Sequence, residues 1–191
     1  MSKTILIDAG HGGTDKGAVA GTFIESEINL KTAIAARNFL AAYDCRVLMT
    51  RTADTPTRIN AMAEKAKQIS AAAVVSIHHN AGGGDGCEAY YWHTDPRAKE
   101  LAQVLLNQFK AIGQNSRGLN PSSENAHNFG MCRINSKNGI PAVLGEFAFL
   151  DSLKDQKMID TEAKLKAEGE AYGKALVNFL KLKPVIKRGI V

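Results

Sequence analysis

The segments TILIDAGHGG (4–13) and AAVVSIHHNA (72–81) decide the fold class, because each joins a short apolar run to a histidine. Short apolar runs bounded by turn residues are typical of strands that are buried on both faces. In an open α/β sheet, binding and catalytic residues follow the carboxyl ends of such strands. The two segments therefore predict that two imidazoles meet at one edge of a sheet. With a carboxylate nearby, such a pair indicates a catalytic zinc site.

Apolar runs and helical apolar spacing alternate along the rest of the chain. Strands are predicted at 4–7, 46–50, 72–77, 87–92, 129–134 and 142–147. Helices are predicted over about 25–42, from 54–56 onward with Asp54 as the capping residue, from 95–96 onward, and over about 165–180. This alternation predicts an α/β fold, as a single domain with a twisted, mostly parallel sheet flanked by helices. The polar segment 114–128 is expected to form a long surface loop.

The length of 191 residues fits one domain, and a hydrophobic fraction of 45% suffices for a core without disulfides. We expect the domain to occupy 1–180 and a basic tail or linker to occupy 181–191. The three cysteines, Cys45, Cys87 and Cys132, form no CxxC pair. This spacing excludes a cysteine zinc ribbon and predicts buried free thiols rather than a disulfide framework.

The formal charge of +5 and the isoelectric point near 9.1 fit an anionic polymer as the partner, either nucleic acid or a bacterial wall. Charge does not choose between them, but no basic motif with interleaved aromatic residues supports nucleic-acid binding, so that partner is not expected. No apolar stretch has the length of a membrane span, and the first residues lack the pattern of a signal peptide.

Three histidines and two glutamates are candidates for holding a metal ion. His11 lies between glycines, which leave its imidazole uncrowded. A turn histidine without a ligand role is the alternative, and a second histidine at a strand end favours the metal. His78 and His79 point to opposite faces of an extended segment, so at most one faces the same centre, and the sequence leaves open which. Glu25 and Glu27 both fit a helix start, but a carboxylate at a loop–helix junction also fits a third ligand, and the residues alone do not choose between the two.

Glu146 stands inside the apolar segment 140–147, where an unpaired acid would be costly to bury. Two interpretations follow from this position. Glu146 either forms a structural ion pair, with Arg133 as the candidate partner, or is a general base whose surroundings raise its pKa. We favour the general base.

Five segments occur in order along the chain. They are IDAGHGG (7–13) followed by Asp15 and Gly17-Ala18, then Glu25 before Asn29-Leu30, TRTAD (50–54), SIHHNA (76–81), and PAVL (141–144) with Glu146. Together they resemble the motifs of the zinc-dependent N-acetylmuramoyl-L-alanine amidases of the amidase-3 family. The resemblance runs from about residue 3 to residue 180. Residues 147–151 depart from it, since they read FAFLD where the family often has GFLSN.

The resemblance implies one catalytic zinc ion held by His11, Glu25 and His78. It implies that Glu146 is the catalytic glutamate, and it leaves His79 in a variable position, where a histidine is unusually polar.

The resemblance also bears on the substrate side of the site. Arg133 ends a segment that often ends in Leu-Arg in the family, so we expect it near the site. Asn80 and Arg133 are the candidate substrate-binding residues, either of which could stabilise a developing oxyanion. The roles of His79, His93 and His127 stay open.

The family's activity implies hydrolysis of the amide bond between N-acetylmuramic acid and L-alanine in peptidoglycan. Two alternatives are a zinc peptidase that cuts within the stem peptide and a non-catalytic wall-binding module. We expect peptidoglycan as the partner, with a separate wall-binding module beyond the C-terminus. Without a signal peptide, the protein is expected to be made in the cytoplasm and to reach the wall through a phage holin or after lysis.

Overall fold

The computed structural model describes residues 2–185, in which strands and helices follow one another along the chain. The strands are β1 (Lys3–Ala9), β2 (Val19–Ala20), β3 (Phe23–Ile24), β4 (Cys45–Met49), β5 (Ala73–Asn80), β6 (Cys87–Trp92), β7 (Ser116–Ser122) and β8 (Ala142–Phe149). The helices are α1 (Glu25–Leu40), α2 (Ile59–Gln68), α3 (Pro96–Ala111), α4 (Gly130–Lys137), α5 (Leu153–Ile159) and α6 (Glu162–Leu180). This alternation confirms the predicted α/β class.

Six strands form one sheet in the order β4-β1-β5-β8-β6-β7. Parallel pairs join β1 to β4 and β5, β5 to β8, and β6 to β7, whereas β6 runs antiparallel to β8. The sheet is therefore mostly parallel, as predicted. The chain passes from β1 to β4 on one side and then to β5 on the other side of β1. A crevice at the carboxyl ends of β1 and β5 is the expected ligand position at such a reversal.

Helices cover both faces of the sheet, because successive strand residues point to opposite sides. In β1, Ile5 and Ile7 belong to the apolar cluster under α1, α3 and α6. Leu6, between them, belongs to the cluster under α2 and α4. A strand buried on both faces must be apolar at every position, which is why the run 4–7 was predicted correctly.

The helices α1 and α6 lie in direct contact at two glycines. A Cβ atom on Gly169 would lie 2.5 Å from the carbonyl oxygen of Thr32, and one on Gly173 would overlap the ring of Phe39. Larger side chains would push the two helices apart, so these glycines allow a close approach of the backbones.

The structure corrects two predictions for the segment 114–137. The expected surface loop over 114–128 contains strand β7, and the strand expected at 129–134 lies mostly in helix α4. Strand β7 is an edge strand that pairs only with β6, so its polar sequence, with a glycine and a proline, carries no alternating apolar pattern. In α4 the buried residues Met131, Cys132 and Asn135 have helical spacing, which a run of six residues does not reveal.

The helix predicted to begin at 54–56 begins instead at Ile59. Asp54, expected to cap that helix, accepts a hydrogen bond from the backbone N–H of Gly13 at 2.7 Å and pairs with Lys16 at 2.9 Å. Its carboxylate therefore closes the loop after β1. Helix α5 and the short β2–β3 hairpin were not predicted.

Beyond α6 the chain packs back onto the domain. Leu182 is buried, Lys183 O accepts from Asp44 N at 2.8 Å, and Val185 N donates to Ala42 O at 2.8 Å. The chain thus contacts the domain at 182–185, past the predicted boundary at 180, and residues 186–191 lie outside the described residues.

All three cysteines are free, as predicted, but only Cys87 and Cys132 are buried, whereas Cys45 is half-buried. Between residues 2 and 185, no helix combines the length and the apolar composition that crossing a membrane requires.

Candidate metal centre

The loop after β1 turns sharply and presents His11 at the sheet edge. His11 has a φ of 61°, and Gly12 and Gly13, with φ of 129° and 64°, adopt conformations that only glycine tolerates easily. The His11 Nδ1 atom lies 2.9 Å from an Asp15 carboxylate oxygen, and Nε2 lies 3.1 Å from Glu25 Oε1. The Asp15 carboxylate accepts a hydrogen bond from the Nδ1–H group of His11. In the neutral imidazole this leaves the lone pair on Nε2, which faces the centre.

A buried arginine, Arg51, holds this loop against helix α1. Its Nε donates to Ala9 O at 2.9 Å, and its Nη2 donates to Gly10 O at 3.0 Å and to Ser26 O at 2.6 Å. One guanidinium therefore joins the end of β1 to the first turn of α1. This clamp fixes the distance between His11 and the start of the helix.

Glu25 is the first residue of α1 and is almost completely buried. Its backbone N–H donates to Ala18 O at 3.0 Å, and its Oε2 accepts from Ala18 N at 2.8 Å. Its Oε1 accepts from the backbone N–H of His79 at 3.2 Å and from Asn29 Nδ2 at 3.3 Å. These contacts orient one carboxylate oxygen toward the two imidazoles.

His78 lies at the carboxyl end of β5, and its Nδ1 is 3.0 Å from Glu25 Oε1. Its ring packs edge-to-face against His11, with the ring centroids 4.9 Å apart. A Cβ on Gly10 would overlap the His78 imidazole, so only glycine leaves room for this ring.

The structure thus brings His11, Glu25 and His78 together, with one ligand atom of each within 4.8 Å of the others. The hydrogen bond to Glu25 raises the pKa of His11 to about 9. Burial opposes ionisation of Glu25, but hydrogen bonds from His11 and His78 lower the pKa of that carboxyl. His79 points the other way, as two neighbours in a strand must, and contacts Asn29 and Glu168.

Glu146 lies on β8, in register with His78 of β5, and its Oε2 has no hydrogen-bond partner among the described residues. The pKa of Glu146 is raised to about 8: burial is the largest cause, the nearby carboxylates Glu25 and Glu88 add to it, and His78 and His11 oppose it. Arg133 forms no ion pair with Glu146 in the described structure, so that interpretation of the buried acid is wrong.

A cavity of about 980 Å³ opens over the centre, between helices α2 and α4. The candidate ligands and Glu146 form its floor. Its walls include Arg58, Ile59 and Glu64 from α2 and its N-terminal approach, and Phe129, Arg133 and Ile134 from α4 and its N-cap. Arg133 therefore lies near the centre, as the sequence predicted.

Asn80 is not among the residues that line this cavity. Its Nδ2 donates to Glu88 Oε2 at 3.0 Å, and the Tyr90 hydroxyl donates to the same oxygen at 3.0 Å. Arg117 completes the group, with its Nε 3.1 Å from Glu88 Oε1. Sequence reasoning missed Glu88, which lies opposite Glu146 in the antiparallel register. An acid inside the otherwise apolar strand CEAYYW was the available signal.

Two histidines with open roles lie outside the centre. His93 Nε2 is 3.8 Å from a carboxylate oxygen of Glu124 on the surface. The ring of His127 stacks on Phe129 and packs against Tyr90.

Comparison with known proteins agrees with this architecture. The chain is 31% identical over 192 residues to the endolysin of Bacillus phage SPP1, covering 96% of this chain and 68% of the relative. It is 32% identical over 177 residues to the N-acetylmuramoyl-L-alanine amidase CwlM of Bacillus licheniformis, covering 90% and 67%. The chain spans about two thirds of the length of these two relatives.

Solved structures show the same fold. The catalytic domain of CwlV, an N-acetylmuramoyl-L-alanine amidase from Bacillus (Paenibacillus) polymyxa var. colistinus, is 29% identical and superposes with a TM-score of 0.85 over 95% of this chain and 99% of that one. Residues 5–178 match the amidase-3 family, described as N-acetylmuramoyl-L-alanine amidase. The fold, the relatives and this match together show that the chain belongs to the amidase-3 family of N-acetylmuramoyl-L-alanine amidases.

Proposed function

We propose that this chain hydrolyses the amide bond between the lactyl group of N-acetylmuramic acid and L-alanine in peptidoglycan, and that the reaction depends on one zinc ion. Membership of the amidase family supports the bond that is cut. One observation carries the zinc dependence: nitrogen atoms of His11 and His78 approach the same Glu25 oxygen at 3.1 and 3.0 Å.

The three residues fit a zinc ion in type and number. Catalytic zinc is commonly held by three protein ligands, including a set of two histidines and one glutamate, and keeps a further position open. His11, Glu25 and His78 would hold the ion, and their atoms are close enough for one centre. The bond from His11 Nδ1 to Asp15 is the outer contact that a ligating imidazole ordinarily makes.

A bound zinc ion would act as a Lewis acid. It would lower the pKa of water, so that water loses a proton and attacks at neutral pH, and it would polarise the amide carbonyl. Glu146 is the general base: its carboxylate takes a proton from the attacking water and passes it to the amine nitrogen of the departing L-alanine. Burial raises its pKa to about 8, and a nearby cation lowers this value. The pKa of Glu146 then falls in the range where one group both accepts and donates a proton.

Arg133 is the proposed substrate-binding residue of the α4 wall. Its Nε is buried without a hydrogen-bond partner, and its guanidinium forms no ion pair within residues 2–185. A guanidinium that is free of acidic partners can donate to a substrate carbonyl or to the developing oxyanion. Asn80 is the weaker candidate, because its amide nitrogen is bonded to Glu88 and its amide oxygen to Ala81 N.

We also propose that the protein acts on the bacterial cell wall after release through a phage holin or after lysis. The likeness to a phage endolysin supports this role. A wall-binding module beyond residue 191 stays a prediction.

Mass spectrometry of the products released from purified peptidoglycan tests the proposal. Digestion is run with the untreated protein, with a chelator, and with zinc added back after the chelator. We expect free stem peptides that begin at L-alanine, lost with the chelator and regained with zinc.

Each alternative has its own outcome in this experiment. Fragments cut within the stem peptide would indicate a zinc peptidase. Binding to the wall without any released product would indicate a non-catalytic module. Release that persists in chelator would overturn the zinc dependence alone.

A further inference from the structure

A chain of buried polar side chains joins the middle of helix α6 to the candidate metal ligand Glu25. Its members are Glu168 of α6, His79 of β5, and Asn29 of α1, and all three are completely buried. Nothing in the proposed reaction uses them directly.

The distances along this chain are those of hydrogen bonds. Glu168 Oε2 accepts from the hydroxyl of Thr32 at 3.2 Å and lies 3.3 Å from His79 Nε2. His79 Nδ1 lies 2.8 Å from Asn29 Oδ1. The His79 ring is therefore held on both sides, by a carboxylate and by an amide.

The chain ends on Glu25 by two routes. Asn29 Nδ2 is 3.3 Å from Glu25 Oε1 and 3.2 Å from Gly10 O, and the backbone N–H of His79 donates to Glu25 Oε1 at 3.2 Å. Since the Asn29 amide nitrogen faces two acceptors, its oxygen must accept, and His79 Nδ1 must carry the donated proton. An ionised Glu168 carboxylate only accepts hydrogen bonds, so His79 Nε2 donates to it and the ring carries a proton on both nitrogens.

Glu168 is an unfavourable residue for its position unless it serves the chain. It is fully buried among the apolar side chains of α6, and its Oε1 has no partner in the described structure. A buried carboxylate that is only half satisfied destabilises the fold relative to an apolar residue of similar volume. The contact with His79 accounts for a carboxylate at this buried position, whereas packing alone does not.

The close packing of α6 on α1 also restricts the position of Glu168. Its neighbour Gly169 lets α6 approach the α1 backbone closely at Thr32. A carboxylate carried at this close contact has little freedom to leave the ring of His79.

We propose that Glu168 and His79 are positioning residues, which act through Asn29 and the backbone of β5 to hold Glu25 Oε1 toward the metal ion. The inference rests on the proposed function, because it takes Glu25 as a metal ligand. Orientation of a metal ligand by outer hydrogen bonds typically changes metal affinity by about 10–100-fold. Helix α6 then belongs to the metal centre as well as to the core.

The test measures the zinc dissociation constant of the full chain by competition with a chromophoric chelator. We expect His79→Leu to raise this constant about tenfold, and Glu168→Leu to raise it by a smaller factor. Glu168→Gln keeps an oxygen that accepts from His79 Nε2, so it should stay within about twofold of the wild type. The double variant should be no weaker than His79→Leu alone, because Glu168 acts only through His79.

Leu176→Ala, a buried change in the same helix, is the control for lost stability, which is followed by thermal unfolding. It should lower the melting temperature and leave the zinc dissociation constant unchanged. Equal loss of affinity in Glu168→Leu and Leu176→Ala would overturn the inference, as would additive effects in the double variant. Tight zinc binding that no variant alters overturns the inference alone, whereas a wild type that binds no zinc overturns the proposed function too.

Discussion

Two glutamates, Glu25 and Glu146, line the same cavity in opposite surroundings. Around Glu25, both carboxylate oxygens accept hydrogen bonds, and the adjacent imidazoles hold its pKa well below the usual range. Around Glu146, one oxygen has no partner among the described residues, the cross-strand neighbours are His78 and Glu88, and burial raises the pKa to about 8. Identical side chains therefore acquire different chemistry from the region that surrounds them.

The difference supports the roles proposed for the two glutamates. A permanently ionised carboxylate held by donors is suited to binding a cation, whereas a carboxyl that gains and loses a proton near neutral pH is suited to proton transfer. The two glutamates also lie on different elements of the fold. Glu25 is the first residue of helix α1, and Glu146 lies within the central strand β8.

The largest effect on zinc binding and hydrolysis is expected from replacing Glu25, the ionised glutamate. Glu25→Ala leaves His11 and His78 without their shared partner and takes away one of three ligands, so both zinc binding and hydrolysis should fall to the level of the chelated wild type. Zinc content by mass spectrometry and product release from peptidoglycan measure the two losses. Retention of stoichiometric zinc would contradict the assignment of Glu25.

The next effect separates the two glutamates. Glu146→Gln keeps the size of the side chain but cannot accept a proton, so hydrolysis should fall by about 10²–10⁴-fold while zinc stays bound. Rates on peptidoglycan and zinc content are measured on the same preparation. A variant with near-normal activity would remove Glu146 from the role of general base.

The same substitution should change stability with pH in the metal-free protein. Glu146 has a pKa of about 8 when folded and an ordinary value of 4.5 when unfolded. Between these values the folded state binds a proton that the unfolded state lacks, so wild-type stability falls as the pH rises from about 4.5 to 8. Metal-free Glu146→Gln should therefore be more stable than the wild type by about 2–4 kcal/mol at pH 8, and nearly equal to it at pH 4.5.

Denaturant unfolding at the two pH values measures this difference. Glu88→Gln is the matched control, since Glu88 faces Glu146 but keeps hydrogen-bonding partners on both oxygens. An equal gap between Glu146→Gln and the wild type at both pH values would show that the Glu146 carboxyl is not strained by burial.

The smallest effect concerns the outer contact of His11. Asp15 is exposed and lies 2.9 Å from His11 Nδ1. Asp15→Ala frees the ring to rotate and to exchange its proton between nitrogens, which should weaken zinc binding by about tenfold without loss of the fold. Asp15→Asn, which keeps a hydrogen-bond acceptor, should recover part of the affinity. No change in either variant would show that the Gly-rich loop alone orients His11.

Prediction from the sequence succeeded where short segments carry their own signal. Apolar runs in the sequence predict the buried strands β1 and β5, and a histidine lies close to the carboxyl end of each run. It failed at β7, an edge strand of the sheet, and at α4, which forms one wall of the cavity. An edge strand with one partner needs no apolar alternation, and a two-turn helix offers too few positions to establish its period.

Other parts of the site depend on contacts between distant segments. Asp54 fits a helix cap in the sequence but closes the loop at Gly13 instead. Glu168 and His79, 89 positions apart, meet only because α6 packs on α1. No periodicity or local motif encodes such a pairing.

The sequence by itself determined the α/β class, the strands β1 and β5 that position His11 and His78, and the family whose motifs match this chain. Each of these depends on local apolar patterns and short motifs. The tertiary structure decided that His79 turns away from the centre, that Glu146 forms no ion pair among the described residues, and that α2 and α4 form the walls of the cavity. The physical reason is that a group's partners and its exclusion from water are properties of packed elements, which form only when the whole chain has folded.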